Sequence, residues 1–468
     1  MSNKIKPIWE HGAVSVDSPN KVFCTAPWTH TYISPQSERR MCCASREEHQ
    51  FQKQYIDASN DERTGKFKES GTIDDYKPVS LKEHWNSPYM MDIRKKLMAG
   101  EAIPQCDVCN NSVLSQSTYR QWFTGFLFQN KIDQCFDETN DDGYTTMDPI
   151  SFDYRVSNLC NFKCRMCGEQ LSSAWETEKR QNDHWTPESQ PFMVPENKEI
   201  IQKFQKDVVE EEFWEAIKSG TVEEIYWVGG EPLMYDIHWK SMARLAEDDT
   251  LKLVHLRYNS NLSRVRFGKH YLYDWLPQAK DWTMCASIDA IGKIGEHIRT
   301  GLDWEQWDKN FREGVALPGG NNKMLLDLTL TGPGLFGLRD YVNYALELDV
   351  KIETKKMFAF HPDIVFSMMS WPKHILHRIV NKLLDDLRPI VTEKQQTVIR
   401  ELESMLQMET FQESFPDIAE QQFFNGRQWQ RTIAGIRNDG EQGEAITVEE
   451  IYSADKELYE WYTREEHS

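Results

Sequence analysis

The 468-residue sequence has no run of about 18 apolar residues, so it offers no candidate for an apolar membrane-spanning helix. It has no excess of positive charge either. Its 54 Lys and Arg stand against 74 Asp and Glu, a net charge of −20. That argues against nucleic acid as the partner, because backbone-gripping proteins present a basic face. A local basic cleft remains compatible with this balance. The opening Met1-Ser-Asn-Lys-Ile-Lys-Pro7 lacks the apolar core of a signal peptide. No Ser-His-Asp arrangement, Walker loop or H-E-x-x-H occurs, nor any internal repeat or low-complexity tract. Cysteine is nearly missing from the last two thirds: nine of the ten precede residue 170, and only Cys285 follows. Without an export signal, ten cysteines read as metal ligands rather than disulfides. A reducing cytoplasm is the expected setting. The 39% hydrophobic content suffices for a sizeable core, and the length suits two or three domains.

What is present is concentrated in one segment. Cys160, Cys164 and Cys167, in Ser157-Asn-Leu-Cys-Asn-Phe-Lys-Cys-Arg-Met-Cys-Gly168, have the spacing C-x3-C-x2-C with no fourth cysteine nearby. Thiolates are soft ligands suited to iron–sulfur clusters. Three cysteines on a four-iron cluster leave one iron open, and an open iron can bind a small molecule. A zinc knuckle is the alternative, but structural zinc wants four closed ligands.

Around this segment, β-type runs alternate with helical stretches. Strands are expected at Phe152–Val156, Glu224–Val228, Leu253–Tyr258, Thr283–Ile288, Leu325–Leu330 and Val350–Thr354. The order implies parallel βα units, hence an α/β fold built on a partial (β/α)6 TIM-like barrel with its chemistry at the strand C-termini. Asn140-Asp-Asp-Gly143 is a candidate linker, and Glu176–Lys198 reads as a long polar surface loop. In the C-terminal third, Ile375, Leu376, Ile379, Val380, Leu383 and Leu387 form an apolar stripe between Pro372 and Pro389. Thr392 with Gln395 forms a capping box ahead of a second helix carrying Val398, Ile399, Leu402 and Leu406. The acidic tail from Asn438 reads as solvated or loosely docked. His30, His84 and His238 are isolated and read as structural. Cys135 and Cys285 have no partner by spacing and read as small buried residues.

Three further segments sit where strands end. Val228-Gly-Gly-Glu-Pro-Leu233 places two glycines, which let a ligand approach backbone, beside the carboxylate of Glu231. Tyr258-Asn-Ser-Asn-Leu262 offers polar side chains for hydroxyl groups, with an Asx turn as the alternative role. Ser287-Ile-Asp289 is followed by His297, Arg299 and Gly301. Together with the three cysteines, these segments resemble the radical S-adenosylmethionine (radical SAM) superfamily over roughly residues 150 to 355. The resemblance implies that Cys160, Cys164 and Cys167 hold a catalytic [4Fe–4S] cluster. It implies that S-adenosylmethionine binds its open iron and is cleaved by one electron to a 5′-deoxyadenosyl radical that abstracts hydrogen from a substrate. It assigns Gly229, Gly230 and Glu231 to the methionine amine, and Ser260 and Asn261 to ribose. Ser287 and Asp289 fall in the matching fourth-strand segment, and Met166 takes a position near adenine that is more often aromatic. Arg299 would meet the cofactor carboxylate or else fix Asp289 in an ion pair.

The N-terminal cysteines form a second group. Phe23-Cys-Thr-Ala-Pro-Trp-Thr-His30, Met41-Cys-Cys43, Leu81-Lys-Glu-His-Trp-Asn-Ser87 and Ile103-Pro-Gln-Cys-Asp-Val-Cys109 resemble a SPASM or twitch domain. In most relatives that domain follows the barrel; here it precedes it. The resemblance implies an auxiliary [4Fe–4S] cluster on Cys24, Cys42, Cys106 and Cys109, with Cys43 as an alternative to Cys42 and zinc as an alternative metal. The expected layout is an extension (1–20), the auxiliary cluster domain (21–145), the radical SAM barrel (146–360) and a helical region (361–468). The implied function is modification of a peptide or protein, with an external electron donor such as flavodoxin or ferredoxin. The alternatives are a small-molecule or nucleotide substrate, and a non-enzymatic iron–sulfur or zinc scaffold.

Overall fold

A computed structural model describes residues 3–10, 13–15, 17–45, 78–111, 118–183, 195–356, 363–440 and 445–465. The chain forms two compact units, each drawn from separated stretches. The first comprises Met1–Asn158, Thr177–Arg257 and Gln278–Asp281; the second comprises Leu159–Glu176, Tyr258–Pro277 and Trp282–Ser468. The strands used below are β1 (His30–Ile33), β2 (Arg39–Arg40), β3 (Ser151–Tyr154), β4 (Lys163–Cys164), β5 (Glu224–Trp227), β6 (His255–Ser260), β7 (Asp281–Ser287), β8 (Arg299–Thr300), β9 (Met324–Leu330) and β10 (Lys351–Lys356). The six expected strands are β3, β5, β6, β7, β9 and β10, each end within two residues of its expected position.

In the first unit β3 lies between β1 and β5 and runs parallel to both, with Ser151 opposite His30 on one side and Glu224 on the other. β2 adds to β1 antiparallel. β1 was not among the expected strands. All four of its residues are buried, so it lacks the in–out alternation that marks a half-exposed strand. Its cysteine-rich neighbourhood packs around Phe23, Trp28, Met90, Ile93 and Leu97. The helix Pro88–Met98 starts on a Ser87 cap, whose hydroxyl accepts the Met90 N–H. Arg94 on that helix is fully buried, and its Nε donates to the Pro27 carbonyl at 2.8 Å. Asn140–Gly143 is a packed turn rather than a free linker. Gly143 has φ +90°, and a Cβ there would meet the Met91 carbonyl oxygen at 2.0 Å.

In the second unit β7, β9 and β10 are parallel, with Leu326 opposite Ala286 and Ile352. All three side chains are buried, as expected where helices cover a parallel sheet. β4 pairs antiparallel with β8, Cys164 opposite Arg299. The helix Lys373–Leu387 buries Leu384 where Leu383 was expected, because the i, i+4 row runs Leu376, Val380, Leu384. The capping box of Thr392 and Gln395 is present ahead of the helix Gln396–Met405. The acidic tail is not loose. It folds as Val448–Tyr452 and Lys456–Thr463 and buries Tyr452, Leu458 and Tyr462. The expected loop at Glu176–Lys198 is helical at both ends, in Ser173–Gln181 and Pro195–Phe204, and residues 184–194 lie outside the described residues. Among the described residues, no helix is long and apolar enough to cross a membrane.

Candidate functional site

The N-terminal cysteines come together in the first unit. Cys24 precedes the helical turn Ala26–Thr29, and Cys42 follows β2. Cys106 and Cys109 sit on the consecutive turns Pro104–Cys106 and Asp107–Asn110. All four line one small cavity, together with Met41, Tyr119, Arg120 and Phe123. Cys43 does not line it. Its thiol lies in the field of Asp153, Arg155 and Arg257, and burial pushes it up to about 11. Of the two adjacent cysteines, the geometry therefore groups Cys42 with Cys24, Cys106 and Cys109. Burial pushes the Cys24 thiol up to about 11, Cys106 to about 12, and Cys42 well above its ordinary value. Such thiols ionise only when a cation compensates the buried charge, which is how metal binding releases protons. Among the described residues, no three His, Cys, Asp or Glu side chains converge on a single ion-sized point. A four-iron cluster does not require that, since each thiolate takes a different iron. Cys135 is buried elsewhere in this core, and Cys285 is half-buried on β7.

The second cysteine group lies in the second unit. The loop from Leu159 is held by hydrogen bonds at each cysteine. The Cys160 N–H donates to Ser173 Oγ at 3.2 Å, and the Cys164 carbonyl accepts from Trp175 Nε1 at 2.7 Å and from the Cys167 N–H at 3.0 Å. Donors also face sulfur. Asn261 Nδ2 is 3.8 Å from Cys160 Sγ, and Arg299 Nη1 is 3.9 Å from Cys164 Sγ. Burial raises Cys164 and pushes Cys167 up to about 12, while Arg299 pulls Cys164 the other way. Three soft ligands with nitrogen donors on two of their sulfurs are a fitting donor set for a cluster with one open iron. Gly301 lets the return strand lie against this loop. Its φ is +106°, and a Cβ would meet the Asn161 carbonyl oxygen at 3.0 Å.

The polar residues that follow the strands have defined partners. Arg299 forms an ion pair with Asp289: Nε lies 2.7 Å from Asp289 Oδ2, and Nη2 donates to Oδ1 at 3.1 Å. Asp289 also accepts the Thr329 N–H at 2.8 Å. Burial raises its carboxyl and Arg299 opposes that rise. Ser260 Oγ accepts the Leu262 N–H at 2.9 Å, and Asn261 Oδ1 accepts the Ser263 N–H at 3.0 Å. The Asx turn and the contact to Cys160 thus coexist in one side chain. Ser287 Oγ donates to Asp327 Oδ2 at 3.2 Å, where Asn259 and Lys355 also meet. Met166 is half-buried.

Two features here escaped the sequence reading. Asp327, inside β9, gathers three donors, yet nothing in its local sequence marks it. Arg165, between two of the cysteines, is fully buried. Its Nε donates to the His297 carbonyl at 3.1 Å, Nη1 to Gln430 Oε1 at 3.0 Å, and Nη2 meets Asp439. Arg437 Nη1 donates to the Lys163 carbonyl at 3.0 Å. The long helix Pro416–Arg437 and the turn after it therefore clamp the cysteine loop.

Gly229, Gly230 and Glu231 belong to the first unit. Gly229 has φ +132°, and a Cβ would lie 2.7 Å from Tyr235 Oη. That hydroxyl accepts the Gly230 N–H at 2.8 Å and donates to the Ser157 carbonyl at 2.7 Å. Glu231 is 1% exposed, and its Oε1 accepts the Leu233 N–H at 3.0 Å. Gly229 thus makes room for a tyrosine of the same protein.

Residues 24–110 match the family model of SPASM, an iron–sulfur cluster-binding domain. The matching stretch supplies all four cavity cysteines. No curated protein sequence matches the chain. Among solved structures, Streptococcus suis SuiB bound to S-adenosylmethionine aligns over 60% of this chain and 56% of that chain, at 12% identity and a TM-score of 0.34. SuiB alone aligns over 67% and 62% at 12% identity, with a TM-score of 0.35. SuiB bound to precursor peptide SuiA aligns over 64% and 60% at 11% identity, with a TM-score of 0.32. The chain therefore spans only 56%, 62% and 60% of the three SuiB chains.

Proposed function

We propose that the chain is a radical SAM enzyme with one catalytic and one auxiliary [4Fe–4S] cluster, acting on a peptide or protein. The observation that carries this reading is the single loop of Cys160, Cys164 and Cys167, with nitrogen donors set at two of the three sulfurs. Cys160, Cys164 and Cys167 would hold the cluster, which would supply the electron for reductive cleavage of S-adenosylmethionine and so the means to abstract hydrogen from the substrate. The protein's share is positional. Asn261 and Arg299 steady the sulfurs, and Arg299 also holds Asp289. Gly229, Gly230 and Glu231 are assigned to the cofactor's amine, Ser260, Asn261 and Ser287 to its polar edge, and Met166 to its adenine. We read the six parallel strands as an incomplete barrel and residues 21–145 and 146–360 as the two functional modules.

A peptide substrate is supported by the SPASM-type domain, a module that resembles those of peptide-modifying enzymes. An external one-electron donor, flavodoxin or ferredoxin, completes the system. The test is formation of 5′-deoxyadenosine by the reconstituted protein under strong reductant. Cys164→Ala should abolish it, and unchanged formation in that variant sinks the assignment. Deuterium at a position of a candidate peptide should appear in the 5′-deoxyadenosine. Label arriving only from small metabolites would replace the peptide with a small molecule.

A further inference from the structure

The cavity of the four N-terminal cysteines has one fixed charge among its described lining residues, Arg120. Arg120 lies beyond residue 110, outside the stretch that matches the SPASM model. It is 8% exposed. Two of its nitrogens are anchored: Nη2 donates to Asn110 Oδ1 at 2.6 Å and Nη1 to the Lys21 carbonyl at 3.3 Å. Its buried Nε has no hydrogen-bond partner. The guanidinium lines the same cavity as Cys106 and Cys24, and its charge favours the ionised form of both thiols. A buried cation with an unspent donor, held against two of four thiols, is costly unless something negative occupies the cavity.

We propose that Arg120 is a positioning residue that raises the reduction potential of the auxiliary cluster. The inference rests on the reading of this cavity as a four-cysteine cluster site. Each electron added to a thiolate-ligated cluster increases its negative charge. A neighbouring cation stabilises the reduced form more than the oxidised one, and low solvent access strengthens the effect. A guanidinium never loses its proton in a protein, so the charge is permanent. The unpartnered Nε on the cavity wall acts in the same direction, because a donor available to cluster sulfur raises the potential.

The test uses the full chain reconstituted with iron and sulfide and a redox titration followed by electron paramagnetic resonance. Iron content establishes first whether two clusters are present. Arg120→Gln should lower the midpoint potential of the second cluster and leave that of the Cys160/Cys164/Cys167 cluster unchanged. Arg120→Lys keeps the charge but forfeits the forked hydrogen bonding, so it should give a smaller downward shift. Equal potentials in wild type and Arg120→Gln, or equal shifts in the two variants, overturn the proposal. If Arg120→Gln fails to load, Arg120→Lys is read alone, and an unchanged or raised potential overturns the proposal. Wild-type protein with iron for one cluster only, or with zinc in the cavity, overturns the auxiliary-cluster reading and this inference with it. Two clusters with an insensitive second potential overturn this inference alone.

Discussion

Gly229→Ala tests whether the glycine pair after β5 is required by the fold itself. The φ of +132° belongs to a region that alanine enters at a cost of about 1–3 kcal/mol. The added methyl would also sit 2.7 Å from Tyr235 Oη and 3.2 Å from Arg155 Cβ. Relief requires moving the tyrosine. That forfeits its bonds to the Gly230 N–H and the Ser157 carbonyl, at about 0.5–1.5 kcal/mol each. The sum is about 2–6 kcal/mol. Urea denaturation followed by tryptophan fluorescence would read it. Tyr235→Phe alone removes both hydrogen bonds without a clash, so it should cost about 1–3 kcal/mol. The double variant should cost less than the two single effects added together, because the hydroxyl that the methyl strikes is gone. A Gly229→Ala protein within about 0.5 kcal/mol of wild type, the size of an ordinary surface change, would refute the reasoning. S-adenosylmethionine affinity should fall in parallel, since the shifted loop carries Glu231.

Glu231→Gln should leave the iron content intact and weaken S-adenosylmethionine binding by about 1–3 kcal/mol, the scale of a lost charge-assisted hydrogen bond; equal affinity by calorimetry counts against the assigned role. Iron and sulfide analysis should give about eight irons per chain, about four in the Cys106→Ala/Cys109→Ala double variant, and about eight in Cys43→Ser, whose thiol lies off the cavity. Loss of iron in Cys43→Ser would reverse the choice of Cys42. Burial lowers His30 to about 4 and both His84 and His238 to about 3, so these rings stay neutral in the folded chain at pH 5 while their unfolded counterparts bind protons. The unfolded state then holds more protons, and stability should fall as pH drops below about 6.5, by up to about 1.4 kcal/mol per pH unit for each histidine. Urea midpoints that do not change between pH 7 and pH 5 would show that these rings are not neutral when folded.

Local chemistry made much of the protein legible. The spacing of Cys160, Cys164 and Cys167 names a soft-metal site because ligand spacing on a short loop is a property of the chain itself. Six of the strands between Ser151 and Lys356 declare themselves through β-type runs alternating with helical stretches. The capping box at Thr392 and Gln395 is likewise complete within four residues. Other decisions depended on residues far apart in the chain. Cys42 and Cys43 are indistinguishable as letters, and only packing sets Cys42 on the cavity with Cys24, Cys106 and Cys109 and leaves Cys43 off it. β1 is recognisable only once β3 lies beside it, because burial on both faces removes the alternation that would mark it. Arg299 had two plausible anions and formed its pair with Asp289 because β4 and β8 bring it opposite Cys164. The clamp of Arg165 on Gln430 and Asp439, and the charge of Arg120 at the cysteine cavity, are long-range electrostatic choices. Composition and spacing report which ligands and turns a chain can make. Which buried charge meets which partner is decided by desolvation in the folded core, where an unpaired group costs too much to leave alone.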